Sequence, residues 1–415
     1  MTEPHAHVPE DLSEAKLPRR DWIVLPLLAV LTVGLLSGST ELIARRMFPA
    51  VREPWGNCMV LDDPATGVRG IPNSVCRIRT AESDFVEYRM NRCGHRAGME
   101  CGPKAPDAFR IVMTGSSFAL GTRVQREQTF AALLPQQLST RTGHRVELYN
   151  ESMGWGSPRN VALRFDDVLE AKPDLILWVL TPWDIQQSPT MMPELPGERA
   201  PEEHGVAKRR VKKALDTKPV WKAVPALAGL GRDLLGSAAE DLVGDQTRVM
   251  MRHFLFESES VYLESYLRGN DRQGGFLKVA QSAEWQNDLL RTEIQVADIE
   301  RRAEAAGVPF VAVLLPNRAQ AAMISAGEWP SGYDPYKLGQ EVRTIVEAHG
   351  GTYIDVLPNF RTIPNPERHY LPIDGHPDAS GHAIISGLLA EALTTGKVSV
   401  LKAATPPQIA LRQGR

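Results

Sequence analysis

The chain has 415 residues, with 47 Lys and Arg against 50 Asp and Glu, a formal charge of −3, and 43% apolar residues. That is enough apolar material for a large core, and too little excess charge of either sign for a disordered chain or one that wraps nucleic acid. A basic cluster, Lys208-Arg209-Arg210-Val211-Lys212-Lys213, lacks interleaved aromatics and reads as a solvated helix face, so no nucleic-acid partner is expected.

Residues 1–21 form a polar tail with Lys16, Arg19 and Arg20, and residues 22–40 carry no charge between Asp21 and Glu41. At helical rise this apolar run just crosses a hydrocarbon core, which predicts one transmembrane signal anchor and a membrane partner. A cleavable signal peptide is the competing reading, but its positive region would be long and acidic and no clear small-x-small site follows. Arg45, Arg46 and Arg52 on the far side match the near-side basic count, so charge alone leaves the orientation tied. The four cysteines Cys58, Cys76, Cys93 and Cys101 all fall in the segment 41–107 and include no Cys-x-x-Cys. An even number in one loop-rich segment suggests disulfides in an oxidising compartment rather than a metal site, and Cys58 with Cys76 plus Cys93 with Cys101 closes the shortest loops. The main body is then expected outside the cytoplasmic membrane.

Residues 41–107 are rich in Gly, Pro, Asn and Arg and read as an irregular or small β segment. From residue 108 to 395 the pattern alternates. Strands are predicted at Arg110–Thr114, Val146–Tyr149, Leu175–Leu180, Val308–Leu315 and Thr352–Val356. Helices are predicted at Phe130–Arg141, Arg159–Lys172, Asn287–Ala306, Tyr336–Ala348 and Ser380–Leu393. Alternation of this kind predicts an α/β fold, a parallel five-stranded sheet covered on both faces in three α/β/α layers. Residues 188–284 break the pattern with a helical insertion at Ala207–Leu215, Val220–Leu235 and Glu259–Leu267, which suits a lid, a groove, a docking surface or plain extra core. The tail 396–415 reads as a loosely held end.

Reactive groups in such sheets gather beyond the carboxyl ends of strands, where Ser117, Gly154 and Asp184 would fall. The first strand runs into Gly115-Ser116-Ser117, and Asp374-Gly375-His376-Pro377 stands before the last helix. A hydroxyl, an imidazole and a carboxylate brought together are the kit for acyl transfer. Gly-Ser-Ser is also an ordinary strand-to-helix turn with a capping serine. A phosphate loop fits poorly, since Thr122 and no Lys follows Gly121; a nucleophile elbow fits poorly too, since Ala119 replaces its second glycine. His382 reads as a histidine that caps or packs.

The stretch Tyr88-Arg-Met-Asn91-Arg-Cys-Gly94-His-Arg96, then Phe109 to Phe118, then Leu148-Tyr-Asn150-Glu-Ser-Met-Gly154-Trp-Gly156, then Pro173-Asp174-Leu-Ile-Leu and finally Asp374-Gly-His376-Pro377 resemble, in order and spacing, the SGNH or GDSL-type hydrolases, in particular membrane-anchored bacterial members. The resemblance covers about Glu87 to Leu393. It implies a flavodoxin-like SGNH fold, no cofactor or metal, and a protein of the bacterial inner membrane with its body in the periplasm. It also implies Ser117 as nucleophile, with Ser116 in place of the usual Asp, His376 as base and Asp374 as its orienting acid, two residues away instead of the commoner three. The implied oxyanion donors are the backbone N–H groups of Ser117 and Gly154 and an Asn side chain from the third block. That block here is Leu180-Thr181-Pro182-Trp183-Asp184, so Trp183 stands where the amide would be, beside Asp184 on the oxyanion and substrate side. Its indole N–H, or the side chain of Asn150 or Asn160, is the candidate substitute, because losing one such donor costs on the order of 100- to 1000-fold in turnover. The implied activity is a serine esterase or O-acyltransferase acting on acyl, above all acetyl, esters of a carbohydrate or envelope polymer. The competing reading is a catalytically silent glycan- or partner-binding module, and a metal-dependent hydrolase lacks a ligand set.

Overall fold

A computed structural model describes residue 18 and residues 20–186, 244–268 and 274–402. The basic cluster and the helices expected at 207–215 and 220–235 lie outside the described residues, as do most of the two terminal tails.

The chain divides into two compact units. The first comprises residues up to Pro49 and the described part of Lys212–Met250. Its main element is helix α1, Asp21–Met47, which contains a window of mean hydropathy 2.0 and is long and apolar enough to cross a membrane. The helix outlasts the apolar run because Glu41 and Arg45, one turn apart on the same face, pair at 2.9 Å and continue it.

The second unit opens with two antiparallel hairpins, β1 Met59–Asp63 with β2 Gly67–Gly70 and β3 Val75–Ile78 with β4 Val86–Arg89. The segment expected to be irregular or small β is thus ordered. Disulfides Cys58–Cys76 and Cys93–Cys101 staple it, with Cα–Cα distances of 5.7 and 6.2 Å. Its core of Trp55, Met59, Val68, Ile78, Tyr88 and neighbours also takes in Leu120 and Met153 from the loops beyond the main sheet.

That sheet comprises β5 Ala108–Gly115, β6 Arg145–Asn150, β7 Leu175–Leu180, β8 Phe310–Leu314 and β9 Thr352–Ile354, all parallel, in the order β6-β5-β7-β8-β9. This is the flavodoxin-like order, with the switch point between β5 and β7, the place where ligands bind in open parallel sheets. The expected fold class holds. All six residues of β7 are buried, as a central strand covered on both faces requires.

Among the described residues twelve α-helices are numbered in chain order. After α1 come α2 Ser117–Leu120, α3 Phe130–Thr142, α4 Pro158–Leu163, α5 Phe165–Glu170 and α6 Pro182–Ile185. Then follow α7 Asp245–Phe256, α8 Glu259–Arg268, α9 Ala283–Ala305, α10 Arg318–Ala326, α11 Lys337–Ala348 and α12 Ala379–Thr394. Helix α3 packs on α12 and β6, while α9 packs on α4 and α11, which gives the layers on the two faces. His382 of α12 sits fully buried against Phe130, and its Nδ1 accepts the first N–H of α3 at 3.3 Å, so it both packs and caps.

Two expectations need correction. The helix expected over 159–172 is two short ones, because Arg164 leaves the helical region at φ −99° and ψ 10° and its buried guanidinium donates to the Glu151 carbonyl at 3.1 Å. Helix α10 was not anticipated: its buried Arg318 and Gln320 break the apolar periodicity, and they donate to the carbonyls of Pro372 and Pro335.

Candidate active site

Strand β5 ends at Gly115, where a Cβ would lie 2.4 Å from the Val179 carbonyl oxygen of β7. Only a residue without a side chain lets the two central strands remain paired here while the chain turns into α2. Ser117 is the first residue of that helix. The far end of α2 is closed by the buried Arg96, whose guanidinium donates to the carbonyls of Leu120, Gly121 and Val124 at 3.1, 2.6 and 2.9 Å. Of the residues Asn91, Gly94 and Arg96 singled out in the sequence, Arg96 therefore braces the turn that carries the serine.

The partner loop precedes α12. Leu371 N–H donates to the His376 carbonyl and Gly375 N–H to that of Leu371, both at 2.9 Å, which folds 371–376 into a tight loop. The short Asp-x-His spacing requires the middle residue to reverse the chain; Gly375 does so at φ +79°, with the Trp183 ring only 3.1 Å from where a Cβ would be.

The loop and the turn meet. His376 Nε2 lies 2.8 Å from Ser117 Oγ, and His376 Nδ1 lies 2.5 Å from Asp374 Oδ1. Residues 259 apart in the chain thus form a continuous hydroxyl–imidazole–carboxylate series, partly open to solvent. Burial pushes the Asp374 carboxyl up, but the charge and hydrogen bond of His376, then those of Arg123, outweigh it and hold the group well below the usual carboxylate range. The imidazole is flanked by Phe118 and Trp183, each with its ring centroid 5.3 Å away.

Arg123 carries no local sequence pattern that would mark it as part of the site. Its Nε donates to Asp374 Oδ2 at 2.9 Å, its Nη1 contacts Glu53, and its own N–H donates to the Tyr88 hydroxyl at 2.9 Å. The acid of the series is therefore tethered to the disulfide-stapled segment as well as to the imidazole.

The oxyanion side differs from expectation. The Trp183 indole hydrogen-bonds the Tyr266 hydroxyl of α8, which also accepts from Asn317 Nδ2 at 2.9 Å. Trp183 therefore turns its ring, not its N–H, toward His376. Asp184 is buried and accepts the Thr181 N–H at 2.7 Å as the cap of α6. Burial pushes its carboxyl up to about 7, against hydrogen bonds from Ser116 and Thr181 that pull it down. It is thus turned inward, away from any substrate. Asn150 Nδ2 is held by the Ala119 carbonyl at 2.8 Å and Asn160 Nδ2 by that of Thr66 at 2.6 Å. Each of the three candidate side chains is thus already engaged through its nitrogen by at least one partner. Among the described residues the backbone N–H groups of Ser117 and Gly154 have no acceptor, and they remain the donors on offer.

Gly154 belongs to a loop pressed against the serine turn: a Cβ on Gly156 would lie 3.1 Å from the Gly115 carbonyl oxygen and 3.4 Å from Ser116 Cα. Between these glycines Trp155 adopts φ +56°, a conformation costly for a bulky residue, and stands 52% exposed with its ring edge-on to Trp55 at 5.2 Å.

No family model matches the sequence, and no curated protein matches it. Among solved structures the chain is similar to TesA, with 10% identity over 68% of this chain and 97% of that one and a TM-score of 0.34. It is similar to the psychrotrophic esterase EstA from Pseudoalteromonas sp., at 10% identity over 69% and 96% of the two chains and a TM-score of 0.34. It is also similar to a lipase/acylhydrolase from Enterococcus faecalis, at 13% identity over 71% and 98% and a TM-score of 0.34.

Proposed function

We propose that this chain is an SGNH-type serine ester hydrolase or O-acyltransferase, tethered to the bacterial cytoplasmic membrane by α1 with the unit from Ala50 onward on the outer side. One observation carries the reading: the unbroken contact series from Ser117 Oγ through His376 to Asp374, at 2.8 and 2.5 Å. Ser117 Oγ attacks the ester carbonyl carbon as its proton passes to His376 Nε2. Asp374 stays ionised, holds the Nδ1–H tautomer and stabilises the imidazolium. The tetrahedral oxyanion is met by the N–H groups of Ser117 and Gly154. Collapse expels the alcohol, which takes the proton from His376, and water or a sugar hydroxyl then discharges the acyl-enzyme by the same steps in reverse.

The substrate class is an O-acetylated carbohydrate of the cell envelope. Trp155 supports it: an exposed indole, held rigid by Trp55 and mounted on the loop beside the serine, is a flat platform for a sugar ring. The two disulfides support an oxidising compartment.

A second reading, a silent glycan-binding domain, draws on the engagement of Trp183, Asn150 and Asn160 with other partners. Acetate release from an acetylated sugar by the full chain in detergent, compared with Ser117→Ala, decides between them. The enzyme reading expects a loss of at least ~1000-fold in the variant. Equal rates would leave only the binding domain.

A further inference from the structure

Glu82 lies in the connection between β3 and β4, within the disulfide-stapled segment. Its side chain is 3% exposed. Oε1 accepts the Ile373 N–H at 3.0 Å, and Oε2 accepts the Asp374 N–H at 2.9 Å. The same Oε1 lies 2.7 Å from Nδ1 of His253 on α7. One buried carboxylate thus gathers two successive peptide N–H groups of the loop that bears the catalytic acid, and an imidazole from α7, a helix within the 188–284 insertion.

Burying a carboxylate is costly unless its oxygens are filled, and here they are filled by backbone donors at the reacting centre. The geometry explains why those two peptides matter. Asp374 is separated from His376 by one residue, so a rotation of the Ile373–Asp374 peptide swings the carboxylate away from Nδ1. Arg123 restrains Asp374 at its carboxylate end, but no described side chain other than Glu82 holds the two N–H groups. Misplacement of catalytic groups on the ångström scale is enough to cost on the order of 100-fold in rate.

We propose that Glu82 is a positioning residue for the Ser117–His376–Asp374 series, clamping the peptide of Asp374 so that its carboxylate meets His376, and that His253 straps Glu82 in place, linking the insertion to the catalytic loop. This rests on the reading of that series as catalytic. Neither Glu82 nor His253 touches the reacting atoms, so their loss should lower kcat and leave KM alone.

The test uses the full chain in detergent, as wild type, Glu82→Gln, Glu82→Ala and His253→Ala, with kcat and KM for p-nitrophenyl acetate, thermal melting, and the downfield proton signal of His376 Nδ1–H. Expected is a fall in kcat on the order of 10- to 100-fold for Glu82→Ala, with KM within about twofold. Partial recovery is expected in Glu82→Gln, which keeps one acceptor oxygen, and a smaller fall in His253→Ala. Wild-type kcat in Glu82→Ala, or a change confined to KM, would overturn the inference. If Glu82→Ala does not fold, Glu82→Gln decides: kcat reduced at an unchanged melting temperature supports the clamp, and unreduced kcat refutes it. Should the wild type itself show no turnover, the proton signal reads the geometry directly. Its loss or broadening in the Glu82 variants supports the clamp, and an unaltered signal refutes it, whatever becomes of the enzymatic reading.

Discussion

Trp183 occupies the position where an amide donor was expected, yet its N–H is spent on Tyr266 and its ring lies against Phe118, His376 and the Gly375 turn. The residue therefore walls the imidazole. It does not stabilise charge on the substrate. This makes Trp183→Phe informative, because phenylalanine keeps a smaller aromatic wall and removes the N–H. An oxyanion donor lost in this way would cost on the order of 100- to 1000-fold in kcat. A wall residue should cost less than ~10-fold, of the size of an aromatic contact. Steady-state kcat on an acetyl ester separates the two, and a drop into the larger range would return Trp183 to the oxyanion side.

At the scale of elements, the junction of β5, β7 and α2 decides whether the serine is presented at all. Gly115 faces the Val179 carbonyl so closely that Gly115→Ala must push the two central strands apart or twist the start of α2. Overpacking of this kind costs typically 1–3 kcal/mol. Denaturant titration should show that loss, with a matching loss of activity because Ser117 is two residues away; a fully stable and active Gly115→Ala would mean the strands do not approach as described. The same junction shows what a sequence discloses. β7 was read to the residue because each of its six positions is apolar and buried, and Ser117, Asp374 and His376 were found because each sits in a short local pattern at a strand end or before a helix. What escaped was fixed by tertiary partners: the break at Arg164 by a carbonyl thirteen residues back, α10 by carbonyls that accept from buried Arg318 and Gln320, and Arg123, Glu53 and Glu82 by loops folded together from distant parts of the chain. A lone Arg or Glu in a polar stretch has no local periodicity to mark it.

Over the whole molecule, buried histidines set how the fold meets acid. His382 joins α12 to α3, the layer on one face of the sheet, by accepting the Phe130 N–H on Nδ1. Protonation would put a hydrogen on that nitrogen, facing a donor, in a fully buried site. Burial, then the charges of Arg96 and His376, push its pKa down to about 3 from an ordinary 6.5. A depressed histidine contributes stability that is complete above the unfolded value of 6.5 and is lost as pH falls toward the folded value, since the unfolded chain alone takes up the proton across that window. One such group gives a slope of about 1.4 kcal/mol per pH unit. In His382→Asn the side-chain carbonyl can still accept the Phe130 N–H but cannot titrate. Measured by denaturation from pH 6.5 down to 4, the variant should therefore lose less stability than the wild type by about that slope, other buried groups such as His95 cancelling in the difference. Parallel curves would mean that His382 already titrates normally in the folded chain, and that the contact between the α12 and α3 layers does not depend on a neutral ring.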